Sequence, residues 1–364
     1  MFISDSASLA SFCGSLEGVP YIAVDTEFVR ERTYFAELAL IQVAHGEHAA
    51  AIDPLAPGID LAPLGRLLHD AAITKVVHSG NEDLELLLGA FGQMPTPVFD
   101  TQIAASMCGS DAQVGYARLV QERIGVTLDK GSQRTDWTRR PLSPKQLAYA
   151  LADVTHLCTL YERLVSDLDE RGRTEWAAGE MVGLTDPHRY EIDPRETWRR
   201  LRMRRPTRRS LAILRELSAW RENRARSRNL PRPWILKNDA LLQLAEAAPT
   251  TLEALKGLSA VARMGHRWRD ADRVLEVVTR ALNLPEDTWP EVPERIDTRP
   301  HEDLLKALRQ LLKERCEAAQ VAPTLVATRR ELERFVASNE PNIPAMEGWR
   351  REVFGEAALA LKRA

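Results

Sequence analysis

Short apolar runs separated by turn residues fill the first 110 positions of the chain. Runs of four to seven apolar residues bounded by polar or glycine-containing turns are typical of buried strands. The first three runs follow one another closely, which predicts a three-strand meander, and helical spacing then alternates with two further strands. This order predicts a mixed sheet with helices on its faces. The predicted strands are residues 21–24, 38–44, 48–53, 74–79 and 98–99. The predicted helices are residues 61–69 and 82–91, the second with Asn81 as its N-cap.

From about residue 101 onward the pattern is helical. Its clearest helix start is SPKQLAYALADVTHL, residues 143–157. Ser143 is a good N-cap, Pro144 suits the first helical position, and Gln146 completes a capping box. Tyr149 and Asp153 lie four residues apart on this helix and therefore share a face.

The C-terminal part contains a weak internal repeat, because residues 230–258 resemble residues 321–349 at an offset of 91. Each copy follows a helix with an apolar stripe, which predicts two small helical bundles. We therefore expect four segments: an α/β domain over 1–190, a basic linker over 191–206, and helical bundles over 207–287 and 298–364.

Composition excludes several classes of protein. With 44% hydrophobic and 28% charged residues, the 364-residue chain is typical of a folded globular protein. No apolar stretch approaches the roughly 20 residues that span a bilayer, and the first residues lack the basic start of a secretory signal. The four cysteines are far apart, which argues against disulfides and a zinc site. We expect a cytoplasmic protein.

The net charge of −3 conceals a strong asymmetry. Residues 1–194 contain 15 Lys and Arg against 28 Asp and Glu, whereas residues 195–232, here called the arginine band, contain 14 Arg and 3 Glu. Arginine binds phosphate through paired hydrogen bonds, so this band suits a protein that handles a polyanion. A solvated helix surface or an arginine-rich interdomain contact is the structural alternative.

Acidic residues follow two of the predicted strands. Asp25 and Glu27 lie two residues apart in a strand and project from one face, and Asp83 lies in the first turn of a helix. Hydrated acids at a strand end are the simple alternative. Mixed sheets, however, bind ligands beyond the ends of strands, and four carboxylates that include Asp153 can share a site only with cations. Oxygen ligands favour Mg²⁺ or Mn²⁺, and two such ions about 3.5–4 Å apart suit phosphodiester hydrolysis.

Three segments carry a resemblance to a known family. DTEF (25–28), HSGNEDLELL (78–87) and YALADVTHL (149–157) are similar to the three motifs of the DEDD-superfamily 3′→5′ exonucleases, in the tyrosine-containing branch. Within that branch, residues 25–44 and 135–154 resemble the ribonuclease D family, whose members carry HRDC domains. The resemblance implies an α/β mixed-sheet exonuclease domain, ribonuclease H-like, followed by two all-α HRDC-type helical bundles, the second of them degenerate.

The resemblance also implies a mechanism. Asp25, Glu27 and Asp153 would bind one divalent ion, Mg²⁺ or Mn²⁺. Asp25 would bridge to a second ion, which Asp83 would hold partly through water. Tyr149 would orient the attacking water. The implied reaction is stepwise 3′→5′ hydrolysis of RNA, notably of tRNA precursors, by a monomer that releases nucleoside 5′-monophosphates.

Seven further positions are weaker candidates for substrate contact. Phe28 either stacks on a terminal base or completes the core, and His78 either contacts substrate or is a buried, hydrogen-bonded histidine. Trp137 precedes the catalytic helix in a segment that suits phosphate contact and a structural loop equally well. The remaining candidates come from the arginine band: Arg204, Arg205, Arg208 and Arg209.

Two alternative functions remain open from the sequence. A DNA 3′→5′ exonuclease would have the same metal site, because nothing in these motifs reads a 2′-hydroxyl. A non-catalytic nucleic-acid-binding protein would need only the arginine band and the bundles, although the complete set of four acids and Tyr149 argues against it. A helicase, another common host of HRDC domains, is disfavoured because the sequence has no GxxxxGKS or GxxxxGKT loop.

Overall fold

A six-stranded mixed sheet lies at the centre of the N-terminal part. The computed structural model describes residues 1–129, 131, 135–262, 270–293, 296–339 and 341–363. The strands are β1 Phe2–Ile3, β2 Tyr21–Val29, β3 Glu37–His45, β4 His48–Ile52, β5 Thr74–Val77 and β6 Val98–Asp100. Their order is β1-β4-β3-β2-β5-β6, with β3 antiparallel to β4 and with β1–β4, β2–β5 and β5–β6 parallel. The predicted mixed sheet is confirmed, and β1 is an additional short edge strand.

Seven helices belong to this part of the chain. They are α1 Ser6–Gly14, α2 Ala62–His69, α3 Asn81–Phe91, α4 Thr101–Met107, α5 Tyr116–Ile124, α6 Pro144–Glu170 and α7 Thr174–Val182. The capping box predicted for α6 is present, with Ser143 and Gln146 bonded reciprocally. The expected N-cap at Asn81 is wrong, because Asn81 is the first helical residue and Gly80 occupies the cap position.

The chain folds into two units, each with its own hydrophobic core. Unit 1 comprises Met1–Val29, Leu38–Arg189 and Arg295–Ala364, and unit 2 comprises Arg30–Glu37 and Tyr190–Glu294. The helices of unit 2 are α8 Arg208–Arg228, α9 Arg232–Ile235, α10 Asn238–Ala247, α11 Leu252–Lys256, α12 Ser259–Ala262 and α13 Ala271–Leu282.

A leucine- and valine-rich core holds unit 2 together. Leu214 and Leu217 of α8 are buried in one cluster with Leu241 of α10 and Val277 of α13. Trp198, from the segment expected to be a linker, is buried in the same cluster and lies on the short 3-10 helix Pro194–Arg200. The segment 191–206 therefore contributes to this core, while the four domain boundaries stay a prediction. Residues 263–269 of the predicted first bundle lie outside the described part of the chain.

The C-terminal helices share a core with helices α4 to α7 of unit 1. Leu160 and Leu164 of α6 belong to one buried cluster with Leu308 and Phe335. The rings of Trp176 and Trp349 stack with centroids 5.0 Å apart. These helices are α14 Glu302–Ala319, α15 Pro323–Val326, α16 Arg329–Ala337, α17 Gly348–Arg350 and α18 Glu356–Arg363, the last two joined by a π-helical turn.

Two negative features agree with the composition. Across the described ranges, none of the helices combines the length and the apolar character needed to cross a bilayer. All four cysteines are buried and free.

Candidate active site

The end of β2 supplies two acids. The alternation of the strand places Asp25 and Glu27 on one face, with Thr26 between them. Single carboxylate oxygens of Asp25, Glu27 and Asp153 all lie within 4.8 Å of one another. The Thr26 hydroxyl donates a hydrogen bond to the Asp83 carboxylate. The strand therefore places two of the acids directly and holds a third through a threonine.

Asp83 owes its position to the turn between β5 and α3. Ser79 adopts a left-handed conformation with φ 55°, and the buried Asp100 carboxylate accepts hydrogen bonds from the Ser79 and Gly80 amides at 3.0 and 2.9 Å. A Cβ at Gly80 would collide with the side chain of Val77, so the turn requires glycine. This turn starts α3 with Asp83 in its first turn, directly after the strand beside β2.

The long helix α6 brings the remaining two residues to the site. Val154, Leu157 and Cys158 of α6 are buried in a cluster with Tyr21 and Ala23 of β2. This packing holds Asp153 beside the acids of β2. One turn earlier, the Tyr149 hydroxyl donates a hydrogen bond to the Asp153 carboxylate.

Burial raises the pKa of all four acids. Desolvation is the largest cause for each, and neighbouring carboxylates add to it for Asp25 and Glu27. The pKa of Asp25 lies well above its ordinary value, and that of Glu27 rises to about 9. The pKa values of Asp83 and Asp153 rise to about 6. The charges that act on Asp25 are those of other acids, so an all-oxygen cluster of this kind fits a divalent cation.

Two of the weaker candidates occupy defined places in unit 1. Phe28 is half-buried in β2. His78 has a partner at each ring nitrogen, with Nδ1 3.0 Å from Oγ1 of Thr101 and Nε2 3.2 Å from the carbonyl oxygen of Val114. Burial lowers the pKa of His78, which favours the neutral ring. These contacts agree with the structural alternative for His78, and its contact with substrate stays a prediction.

Trp137 and the four arginines are also placed by the structure. Trp137 is only 2% exposed, and its ring centroid lies 6.2 Å from that of Tyr149, so it packs behind the tyrosine. Arg208 donates to the carbonyl oxygen of Glu286 at 2.8 Å. The other three candidate arginines also belong to unit 2, and they are exposed: Arg204, Arg205 and Arg209.

Sequence reasoning missed residues that hold the site together. The Tyr116 hydroxyl donates to the carbonyl oxygen of Asp153 in the middle of α6. Arg140 forms two hydrogen bonds with the buried Asp53 carboxylate, at 2.7 and 2.5 Å, just before α6. Both contacts join residues far apart in the chain, and no local pattern identifies either partner.

Comparison with known proteins agrees with this geometry. A family described as 3′-5′ exonuclease matches residues 1–169, and the HRDC domain family matches residues 210–278. The ribonuclease D of Gluconacetobacter diazotrophicus is 43% identical over 363 residues, covering 100% of this chain and 92% of that protein. The ribonuclease D of Granulibacter bethesdensis is 43% identical over 362 residues, with 99% and 92% covered.

A solved structure supports the same assignment. Escherichia coli RNase D, described as an exoribonuclease involved in structured RNA processing, superposes with a TM-score of 0.84 at 34% identity. The match covers 100% of this chain and 98% of that one. Fold and site together define a 3′→5′ exonuclease that carries an HRDC domain. The chain belongs to the ribonuclease D family and is a 3′→5′ exoribonuclease, as the sequence predicted.

Proposed function

We propose that this enzyme shortens RNA from its 3′ end, with tRNA precursors among its substrates, and releases nucleoside 5′-monophosphates. We further propose that it acts as a monomer in the cytoplasm. The observation that carries the proposal is the convergence of Asp25, Glu27 and Asp153 within 4.8 Å, with Tyr149 hydrogen-bonded to Asp153. Among the described residues, the charges that act on Asp25 and Glu27 are those of other acids, and buried carboxylates of this kind suit the binding of divalent ions far better than a structural role.

Four acids hold two divalent ions, Mg²⁺ or Mn²⁺, in this proposal. Asp25, Glu27 and Asp153 would hold one ion, and Asp83 together with Asp25 would hold the second. When bound, two such ions stabilise the attacking and the leaving oxygen of a phosphodiester. The Thr26 hydroxyl keeps the Asp83 carboxylate oriented toward the cluster.

Tyr149 positions the attacking water. Burial and the neighbouring acids raise the pKa of Tyr149 far above its ordinary value, so its hydroxyl stays protonated and remains a hydrogen-bond donor. The contact with Asp153 and the packing of Trp137 fix the direction of that hydroxyl.

Tyr149→Phe is expected to lower kcat roughly 10²-fold with little change in KM, because the variant keeps the ring and loses only the positioning hydroxyl. Steady-state kinetics on a single-stranded RNA measure the effect. Tyr161→Phe, on the same helix, is the matched control and is expected to retain the wild-type rate. Equal rates for the wild-type enzyme and Tyr149→Phe would remove Tyr149 from the mechanism.

The metal-free enzyme is expected to lose stability as pH rises. The folded-state pKa of Glu27, about 9, exceeds its unfolded value near 4.5, so the stability that its proton provides is complete below pH 4.5 and is lost toward pH 9. In EDTA, the Tm should therefore fall further between pH 5 and pH 9 for the wild type than for Glu27→Gln. Saturating Mg²⁺ should restore the wild-type Tm at high pH. If the Tm of the wild type and that of Glu27→Gln change with pH in parallel in EDTA, the assigned burial of the Glu27 carboxylate is contradicted.

The exposed arginines of unit 2 are proposed to contact RNA phosphates. Replacing Arg204, Arg205 and Arg209 together by Gln is expected to weaken RNA binding and to flatten its salt dependence. Fluorescence anisotropy at several salt concentrations measures both quantities. If the salt dependence of RNA affinity is unchanged, these side chains are simply hydrated on the surface and do not contact RNA.

The reaction is tested by product analysis on a tRNA precursor with a short 3′ extension, with and without divalent metal. Metal-dependent release of 5′-monophosphates is expected from the wild type and from Asp169→Asn, an exposed acid on α6, but not from Asp153→Asn. A matched DNA oligomer tests the alternative substrate. Faster degradation of the DNA would favour a DNA exonuclease.

A further inference from the structure

Unit 2 contains a pocket of about 400 Å³ that is lined by arginines and neutral polar groups. Its walls come from the segment Arg30–Glu37, the 3-10 helix Pro194–Arg200, α8 and the chain around α9. No Asp or Glu is among the described residues that line it. The lining residues that matter most are Tyr34, Thr197, Arg200, Arg221, Arg232 and Asn238.

One wall is a network of hydrogen bonds and ion pairs around Glu222. Glu222 is buried and accepts hydrogen bonds from Nε and Nη2 of Arg232 at 2.5 and 2.8 Å. The Tyr34 hydroxyl donates to Glu222 and accepts from Nε of Arg226 at 3.0 Å. Glu222 therefore offsets the charge of Arg232 and fixes its guanidinium at the wall of the pocket.

Arg221 presents an unsatisfied donor in this pocket. Its side chain is only 5% exposed, and Nη1 donates to the carbonyl oxygen of Leu236 at 3.0 Å and to Oδ1 of Asn238 at 2.7 Å. Its Nε is buried without a hydrogen-bond partner. Arg221 also adds positive charge to the wall of the pocket, and an anion is the partner that suits a guanidinium best.

Arg200 adds an exposed positive charge at the same pocket. It lines the pocket and has no carboxylate partner among the residues that the structure describes. Its neighbour Arg199 differs in both respects, because it pairs with Glu196 and its guanidinium lies over the ring of Trp198 at 5.1 Å. The two adjacent arginines therefore form a natural pair of test and control positions.

Exposed aromatic side chains adjoin the pocket. Trp234 is 59% exposed and follows the lining residue Pro233, and Phe35 is 56% exposed with its ring 4.8 Å from that of Tyr34. Bases of single-stranded nucleic acids stack on aromatic side chains of this kind, while cationic grooves bind the backbone. The combination of an anion pocket and adjoining aromatic surfaces fits a nucleotide strand.

From these contacts we propose that the pocket binds a backbone phosphate of single-stranded RNA, with Trp234 and Phe35 as stacking surfaces for the adjacent bases. The choice of RNA as the strand rests on the proposed function. Every described lining residue belongs to unit 2, whereas the four acids belong to unit 1. The pocket holds RNA that is being processed and does not take part in hydrolysis.

The test measures binding of a fluorescently labelled single-stranded RNA in EDTA, so that no hydrolysis is required. Arg200→Gln is expected to weaken binding about fivefold and to reduce the salt slope by about one. Arg199→Gln carries the same change in charge one residue away and is expected to stay within twofold of the wild type. If the two variants lose equal affinity and equal slope, the pocket has no specific role and the proposal fails.

A second arm separates the RNA strand from a released mononucleotide as the source of the phosphate. AMP at millimolar concentration is expected to compete weakly with the RNA. If Arg200→Gln weakens AMP binding but leaves RNA binding unchanged, the pocket binds product and the proposal is overturned. A wild-type enzyme that binds RNA through Arg200 but does not hydrolyse it would refute the proposed function alone, so the two failures are distinguishable.

The stacking part is tested with Trp234→Ala in the same binding assay. Loss of one stacked base is expected to weaken RNA binding about tenfold and to leave the salt slope at the wild-type value, because no charge is removed. Unchanged affinity would exclude Trp234 from the site. The two variants therefore separate the electrostatic part of the interaction from the stacking part.

Discussion

Asp25→Asn is expected to lower the rate of RNA hydrolysis at least about a thousandfold, equivalent to about 4 kcal/mol of transition-state stabilisation. The reason is that Asp25 lies at the centre of the cluster, where the charges of Asp83, Asp153 and Glu27 all act on it. An amide has the same shape but carries no charge with which to bind a divalent ion. Single-turnover release of 5′-monophosphate from labelled RNA measures the loss.

The same substitution is expected to leave the fold intact. Asp25→Asn removes a buried ionisable group whose charged form is unfavourable in the metal-free protein, so the Tm in EDTA at pH 8 should equal or exceed that of the wild type. Asp169→Asn is the control for both measurements and should change neither. Hydrolysis by Asp25→Asn at the wild-type rate would contradict the metal site, and a lower Tm would show that Asp25 has a structural role.

Asp100→Ala is expected to destabilise the enzyme by about 3 kcal/mol and to reduce its activity. The buried Asp100 carboxylate accepts from the amides of Ser79, Gly80 and Gln102, at 3.0, 2.9 and 2.8 Å. Alanine would leave these donors, including the buried Gly80 amide, without their acceptor and would release the turn that sets Asp83 at the start of α3. Urea denaturation measures the stability, and kcat at saturating Mg²⁺ measures the displacement of Asp83.

Asp5→Ala is the matched control for this prediction. Asp5 also caps a helix with its carboxylate, but it is exposed and accepts from the Ser8 amide alone. Its loss should have only the modest effect of an ordinary N-cap and should leave kcat unchanged. Equal destabilisation by the two substitutions would show that burial at Asp100 does not matter.

Local patterns account for the parts of the fold that the sequence predicted correctly. The strands of the sheet and the capping box at Ser143 depend on residues within a few positions of one another, which a linear pattern shows directly. The predicted cap at Asn81 was wrong because a non-local contact decides that turn. The carboxylate of Asp100, about 20 residues away, accepts from the Ser79 and Gly80 amides, and α3 begins at Asn81, directly after this turn.

The four acids and Tyr149 could be predicted because they lie in short motifs of fixed order. The residues that support them could not, since their contacts span large separations in the chain. Arg140 reaches Asp53, and Tyr116 reaches the carbonyl oxygen of Asp153. No periodicity indicates such pairs, and the same holds for Arg221 and Asn238 in unit 2.

The packing of the last helices was also beyond the sequence pattern. An apolar stripe on α14 predicts that the helix buries one face, but it does not identify the surface that covers it. In unit 1 the buried residues of α14 belong to a cluster that also contains residues of α6 and α7. Arg350 forms an ion pair with Glu180 of α7. Identifying such a partner surface requires the tertiary structure.

The central claim is that Asp25, Glu27, Asp83 and Asp153 together bind divalent cations. Anomalous diffraction from crystals soaked in Mn²⁺ tests it most directly, because the ions themselves are located. We expect two peaks about 3.5–4 Å apart, both in contact with these carboxylates, and their loss in Asp25→Asn. Mn²⁺ peaks elsewhere, with none at this cluster, would contradict the account.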